Sequence, residues 1–324
     1  MTAFTPDEQR RIDLTTAVRD TDALPKVADA GEVVTRGEQR VQVMHNGVVV
    51  EEGCYNGAWM TEIIRRLRGH HEPQEEMAFA AVVDRLASDT PTPAVVELGS
   101  FWAYYSLWAR AAIPGARNIC VEPDPNNLEV GRRNFALNGV DGRFIRAAVG
   151  SPHGAGIRIR TESDNALRLT PLVTLDGLMR DEGLERVDLL LCDTQGAEVA
   201  LLQDALATLR SGRVRFLVVS THHHSITGDP LTHQRCVALL QQAGAHIIAE
   251  HSVLESCSGD GLIAASLDPR DADLHVDVTA VRSRDTIFGE PEYELARVLR
   301  RSPTRLARRA AKRAVTELQR RVQR

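Results

Sequence analysis

The sequence contains no apolar run approaching the ~20 residues needed to span a bilayer. Its opening, MTAFTPDEQRR, is polar and acidic, unlike a secretory signal. Cysteine is too sparse and scattered for a disulfide framework: five residues, Cys54, Cys120, Cys192, Cys236 and Cys257, with no CxxC pair. They read as buried reduced thiols, which predicts a cytoplasmic location. Internal repeats and low-complexity tracts are missing as well. What remains, 43% hydrophobic and 26% charged over 324 residues, suits a globular α/β core with appendages.

The formal charge of −5 conceals an asymmetry. From Arg297 to Arg324, eleven Lys or Arg face a single acid, Glu317, so this stretch carries about +10 and the rest about −15. An acidic body argues against nucleic acid as a partner. In the basic stretch, Leu306, Ala310, Ala314, Leu318 and Val322 recur every fourth residue among arginines and lysines. That spacing predicts a basic amphipathic helix, whose two readings are a solvated or partner-packed helix and peripheral contact with an anionic inner membrane face.

Residues 1–75 read as a cap of loose helices and a hairpin, with Asn46-Gly47 as the turn between two β-rich runs. Helical spacing follows over 59–67 and 75–86. From Ala94 to about residue 270, short apolar strands alternate with amphipathic helices: strands at 94–98, 118–121, 143–148, 187–192 and 215–220, helices near 102–112, 126–137, 176–182, 197–210 and 231–242. Strands so uniformly apolar, separated by helices, predict a parallel sheet covered on both faces. Two closing strands joined through Ser258-Gly259-Asp260-Gly261 predict an antiparallel pair, because a parallel crossover needs a longer connection. The domain expectation is a cap (1–75), a core (76–270) and a C-terminal extension (271–324).

The sharpest motif is Glu97-Leu98-Gly99-Ser100-Phe101-Trp102-Ala103, at the end of the first core strand. Ligands of doubly wound sheets bind there, and Gly99 permits the tight turn from strand to helix. A dinucleotide fingerprint needs a second glycine so that pyrophosphate can approach the backbone, yet Phe101 occupies that position. The next strand ends in Glu122-Pro123-Asp124. Glu122 lies 23 residues beyond Gly99, where an acid accepts hydrogen bonds from ribose hydroxyls. Asp124 reads instead as a helix-start acid.

The runs VVELGSFWAYYSLWAR, VEPDPNNLEVGRRNFALNGV and VTLDGLMRDEGLERVDLLLCDTQGAEVALLQDA resemble the FkbM-type S-adenosylmethionine-dependent methyltransferase family over about 72–267. The resemblance implies a Rossmann-like class I methyltransferase fold: α/β, with a mostly parallel seven-stranded sheet and an antiparallel terminal hairpin. It implies S-adenosylmethionine as cofactor and a methyl acceptor, with Glu97, Gly99 and Glu122 lining the cofactor, Ala148 near the adenine and Asp193 facing the transferred methyl. Segment 71–76, with Glu75, is similar to the family segment that closes over the methionine end. Ser100 and Pro123 complete the cofactor set. Two positions depart from the family pattern: Ala103 replaces a glycine, and Gln195 replaces a glutamate.

Methyl transfer to a hydroxyl needs a group that takes the proton. Asp193 ends the fourth strand and His222-His223-His224 follow the fifth, its neighbour in this fold. The favoured pair is His222 as base with Asp193 orienting it; His223 and His224 are substitutes. An unremarkable polar loop is the plain reading of the three histidines. A divalent metal on Asp193 and a histidine is a second, less favoured option, since no H-x-x-x-H or carboxylate-pair spacing supports it. His251, Glu255 and Asp260 are candidates for the substrate mouth, with surface loop the plainer reading of each. The predicted activity is O-methylation of a sugar, glycolipid or natural-product hydroxyl. Its alternatives are a nicotinamide-dependent sugar oxidoreductase or epimerase and a non-catalytic adenosyl-binding protein. Homo-oligomerisation is left open.

Overall fold

A computed structural model describes residues 4–281 of the protein. The first element, α1 (Pro6–Ala17), starts at a reciprocal capping box between Thr5 and Glu8, with Pro6 in the first turn. An antiparallel three-stranded sheet follows: β1 (Val33–Arg36), β2 (Gln39–Val43) and β3 (Val49–Glu51). The expected Asn46-Gly47 turn joins β2 to β3, with Gly47 at φ +86°. Helices α2 (Ala58–Arg66) and α3 (Pro73–Asp89) lead into the core.

The core runs through β4 (Ala94–Leu98), α4 (Tyr104–Ala112), β5 (Arg117–Val121), α5 (Pro125–Leu137), β6 (Arg143–Ile145), β7 (Ala148–Val149), β8 (Gly156–Arg160), β9 (Leu167–Val173), α6 (Leu175–Asp181), β10 (Val187–Cys192), α7 (Glu198–Asp204), α8 (Leu206–Arg210), β11 (Val214–Thr221), α9 (His224–Thr227), α10 (Thr232–Ala243), β12 (His246–His251) and β13 (Gly261–Ser266). Seven strands form one sheet in the order β12-β13-β11-β10-β4-β5-β6. Strands β6, β5, β4, β10 and β11 are parallel. The last strand, β13, inserts between β11 and β12 and is antiparallel to both. This is the α/β, Rossmann-like arrangement with an antiparallel terminal pair that the sequence predicts.

From β4 the chain proceeds outward through β5 and β6, then returns to the other side of β4 with β10. The switch point therefore lies between β4 and β10, where a crevice opens at the carboxyl ends of the strands. Leu98 and Cys192 are register partners there. The next residues, Gly99 and Asp193, consequently face each other at the crevice.

The N-terminal elements are packed into the same interior. Ile12, Met44, Val50 and Ile63 share an apolar core with Phe79, Trp108 and Leu189. Asn134 and Asn138 on α5 accept the backbone N–H groups of Glu51 and Val49, each at 2.9 Å, which fixes the edge of the small sheet against the core. All five cysteines are free, as expected. Among the described residues no helix is long and apolar enough to cross a membrane.

Three expectations are corrected. The single strand at 143–148 is two strands in different sheets, because β7 pairs with β9 rather than continuing β6. The segment from β7 to β9 carries an extra hairpin, β8–β9, whose sequence alternates Ile and Leu with Arg. The expected helix over 197–210 breaks at Ala205 into α7 and α8. The basic stretch 297–324 lies outside the described residues.

Candidate functional site

A cavity of about 380 Å³ occupies the switch point. Glu75, Glu97, Gly99, Ser100, Glu122, Pro123, Ala148 and Asp193 all line it, so the structure brings the predicted cofactor set together.

The turn after β4 is unusual in its backbone. Gly99 has φ +80°, and a Cβ there would collide with the backbone oxygen of Asp193. Phe101 and Ala103 also hold positive φ, +38° and +58°. Ala103 therefore occupies, with a methyl group, the left-handed conformation that favours glycine. Its Cβ faces Gly131 of α5, where a second Cβ would be 3.2 Å away, so the bare glycine leaves room for it.

Each acid at the turn has a defined place. The Glu97 carboxylate accepts the Ser106 N–H at 3.1 Å in the first turn of α4. Glu122 accepts the N–H groups of Phe101 at 3.1 Å and Asp124 at 2.9 Å, which fixes it at the end of β5 while other lone pairs stay available. Asp124 is the N-cap of α5, as read from sequence, and also accepts Ser163 N–H and Oγ–H at 2.9 and 2.8 Å. Through that link the extra hairpin is fastened beside the cavity, and Ile159, Arg160, Thr161 and Glu162 join its lining.

The cavity is strongly acidic. Burial pushes Glu75 up to about 8, Glu97 to about 8, Glu122 to about 7 and Asp260 to about 6. Glu72 lies well above the ordinary carboxylate range for the same reason, reinforced by Glu75. Acids held this way favour a ligand that carries positive charge, because a cation repays the cost of ionising them.

Beside the glycine turn, Asp193 follows β10 and His222 follows β11, the adjacent parallel strand. The His222 ring is 3% exposed and the Asp193 side chain 52%. His222 Nε2 lies 3.1 Å from Asp193 Oδ1 and 3.7 Å from Asp260 Oδ1, and its Nδ1 lies 3.0 Å from Glu198 Oε1. Burial lowers the pKa of His222, but hydrogen bonds to Asp193 and Glu198 outweigh it and hold the imidazole well above its ordinary value. Those two carboxylates thus favour the protonated form of the ring.

His223 and His224 are arranged differently. The strand stops at Thr221, so side-chain alternation ends before them. His223 is the N-cap of α9 and accepts the Ser225 N–H, while His224 begins that helix with its ring 3.9 Å from that of His223. Neither lines the cavity. Among the three mouth candidates, Asp260 lines it, whereas Glu255 forms a capping box with Ser252 and His251 sits against the Ser252 carbonyl. Sequence reasoning passed over Tyr55 in the wall and named Glu72 and Trp102 only as members of segment 71–76 and of the glycine-turn motif; the Tyr55 and Trp102 rings stack at 4.6 Å.

Behind this wall His45, His70 and Glu76 bring three ligand-type atoms within 4.8 Å of one another. The His45 and His70 rings are stacked at 4.2 Å and 19°, so their in-plane lone pairs run side by side rather than converge on an ion. Glu76 instead pairs with His70 and His71, making a polar core beneath the cavity.

The residues fit S-adenosylmethionine. Gly99 leaves backbone room where a side chain would block the cleft. Ser100 Oγ is buried with no hydrogen-bond partner among the described residues, at the end of the cavity where a polar ligand group would meet it. The carboxylates suit a sulfonium, an ammonium and a ribose diol.

Residues 88–247 match the model of the methyltransferase FkbM domain. A solved S-adenosylmethionine-dependent methyltransferase from Agrobacterium tumefaciens is similar at 13% identity and TM-score 0.43, over 72% of this chain and 71% of that one. The tRNA methyltransferase TrmK of B. subtilis is similar at 16% identity and TM-score 0.35, over 59% and 67%. A protein in the NADB-Rossmann superfamily from Streptococcus agalactiae is similar at 14% identity and TM-score 0.34, over 61% and 70%. The curated proteins yield no match. Residues 88–247 of the chain are, by the family match, a methyltransferase FkbM domain.

Proposed function

We propose that the protein methylates a hydroxyl of a sugar, glycolipid or natural-product acceptor, with Asp193 and His222 managing the hydroxyl proton. The supporting observation is the 3.1 Å contact between His222 Nε2, just behind the cavity lining, and Oδ1 of Asp193, which lines the cavity beside the glycine turn. When bound, S-adenosylmethionine supplies a methyl carbon on a sulfonium, which leaves as a neutral thioether once the new C–O bond takes the methyl. The chain's task is to orient the acceptor oxygen in line with that carbon and remove its proton. His222 holds one oxygen of Asp193, and the remaining lone pairs of the carboxylate, half-exposed to the cavity, receive the proton. Tyr55 and Trp102 offer an aromatic wall for the acceptor ring.

The test is incubation of the full-length protein with methyl-labelled S-adenosylmethionine and a panel of sugars, glycolipids and polyketide alcohols, followed by mass spectrometry of the products. A methyl ether supports the reading. Label found only on nitrogen or carbon discards it.

A further inference from the structure

We propose that Glu198 is the positioning residue of this site: its carboxylate takes the Nδ1–H of His222 and thereby aims Nε2 at Asp193. The proposal rests on the Asp193–His222 reading above and extends it to a residue that does not line the cavity.

Glu198 is the first residue of α7 and is 0% exposed. One of its oxygens, Oε1, accepts Gly196 N–H at 3.0 Å, Thr194 Oγ–H at 3.1 Å and Thr194 N–H at 3.3 Å, and meets His222 Nδ1 at 3.0 Å. The other, Oε2, is buried with no hydrogen-bond partner among the described residues. A buried carboxylate costs several kcal/mol unless it is paired, and an unpartnered oxygen adds to that cost. A neutral glutamine would staple the Thr194–Gly196 loop equally well. What the glutamate adds is charge, delivered to one ring nitrogen.

The chemistry then follows from the donor inventory. Burial pushes the Glu198 carboxyl up, but the His222 bond, its charge and the backbone N–H groups bring it below its ordinary value, so it is ionised. An ionised carboxylate has no proton to give, so Nδ1 must carry the hydrogen, and the ring plane is fixed with Nε2 on the cavity side. The groups facing His222 come from three elements: Asp193 after β10, Glu198 on α7 and Asp260 ahead of β13. Cys192 and Cys236, beside Glu198, are held as neutral thiols by burial. The loop that carries Asp193 is tied to the same oxygen through Thr194 and Gly196, so a single carboxylate sets both members of the pair.

The experiment uses full-length protein labelled with ¹³C,¹⁵N-histidine, the His222 resonances being assigned by their loss in H222N. Imidazole shifts are followed against pH in the wild type, E198Q and E198A. In E198Q the neutral ring, read above its midpoint, keeps its hydrogen on Nδ1, because the amide oxygen still accepts it, while the His222 midpoint falls by about one pH unit or more, roughly tenfold in proton affinity. In E198A the preference for Nδ1–H is lost. A His222 midpoint and tautomer unchanged in both variants overturns the proposal. So does a drop in melting temperature with no change at His222, which would leave Glu198 a loop staple only. Calorimetry with S-adenosylhomocysteine separates the two levels: failure of the wild type to bind it sinks the methyl-transfer reading, whereas the imidazole titration decides the role of Glu198.

Discussion

Gly99 and Asp193 meet backbone to backbone: the Asp193 N–H donates to the Leu98 carbonyl at 2.9 Å, and the Asp193 oxygen fills the space where a Gly99 Cβ would stand. The glycine turn and Asp193 are therefore built against each other. G99A must both adopt φ +80° with a side chain and push the β10 end away. The expected cost is about 2–4 kcal/mol, with at least a tenfold loss of S-adenosylhomocysteine affinity. Urea unfolding and calorimetry measure the two; an alanine variant of native stability and affinity refutes this account of the turn.

D193A and H222A are expected to lower methyl transfer by roughly 10²–10⁴-fold, the usual range for a general acid–base group. Both should bind S-adenosylhomocysteine within a few-fold of the wild type, because neither is the group expected at the ribose, Glu122, or at the methionine end, Glu75. H223A and H224A, whose side chains stay out of the cavity, should retain near-normal rates. Near-normal rates in both D193A and H222A would remove the pair from the mechanism.

Cofactor binding should release protons. Burial holds Glu75 and Glu97 at about 8 and Glu122 at about 7 in the free protein, so part of each is protonated near neutral pH. A cationic ligand stabilises the ionised form and lowers these values, so affinity for S-adenosylmethionine should rise as pH increases from about 6 to about 9. S-adenosylhomocysteine, which lacks the sulfonium charge, should release fewer protons. Binding enthalpies compared in buffers of different ionisation heat count them, and proton uptake would contradict the sign.

Peripheral membrane contact is a proposal carried by the sequence 297–324, with its eleven basic residues and one acid. Full-length protein should co-sediment with anionic vesicles at low salt and dissociate at high salt. A chain ending at Pro291 should remain in the supernatant. Equal sedimentation of the two forms discards the idea.

Much of this site can be read directly from the residues, for identifiable reasons. Buried parallel strands announce themselves as short apolar runs, and the residue after each strand end falls at the crevice, which is how Gly99, Glu122 and Asp193 stand out. The hairpin β8–β9 was missed although GIRIR and LRLT alternate with period two, because both runs sit inside a stretch read as one βα connection. Glu198 was passed over because it belongs to a helix start, where an acid normally answers the dipole. Only the meeting of α7 with the end of β11 shows that it faces His222. The helix α9 could not be foreseen either, and it is what turns His223 and His224 away.

Arg215 offers a control at the opposite end of β11 from His222. Its guanidinium is 1% exposed and grips Asp271 at 2.9 and 3.0 Å and Asp89 at 2.6 and 2.8 Å, tying the end of α3 to the segment after β13. Removing the arginine leaves the buried Asp271 with only the Ser266 hydroxyl at 2.7 Å and a 3.3 Å contact to Arg85, so R215A should cost up to about 3–5 kcal/mol. Lysine cannot reproduce two bidentate contacts, so R215K should recover only part of that. The hydrogen bond to Arg215 holds Asp89 down to about 2, below its ordinary 3.8. Its contribution is complete above that ordinary value and is lost as pH falls through about 2, so the gap between wild type and R215A should narrow in acid. S-adenosylhomocysteine affinity, measured well below the melting temperature, should be unchanged. A loss of affinity in folded R215A would mean that the two ends of the strand are coupled, contrary to the separation between anchoring and chemistry argued from the geometry.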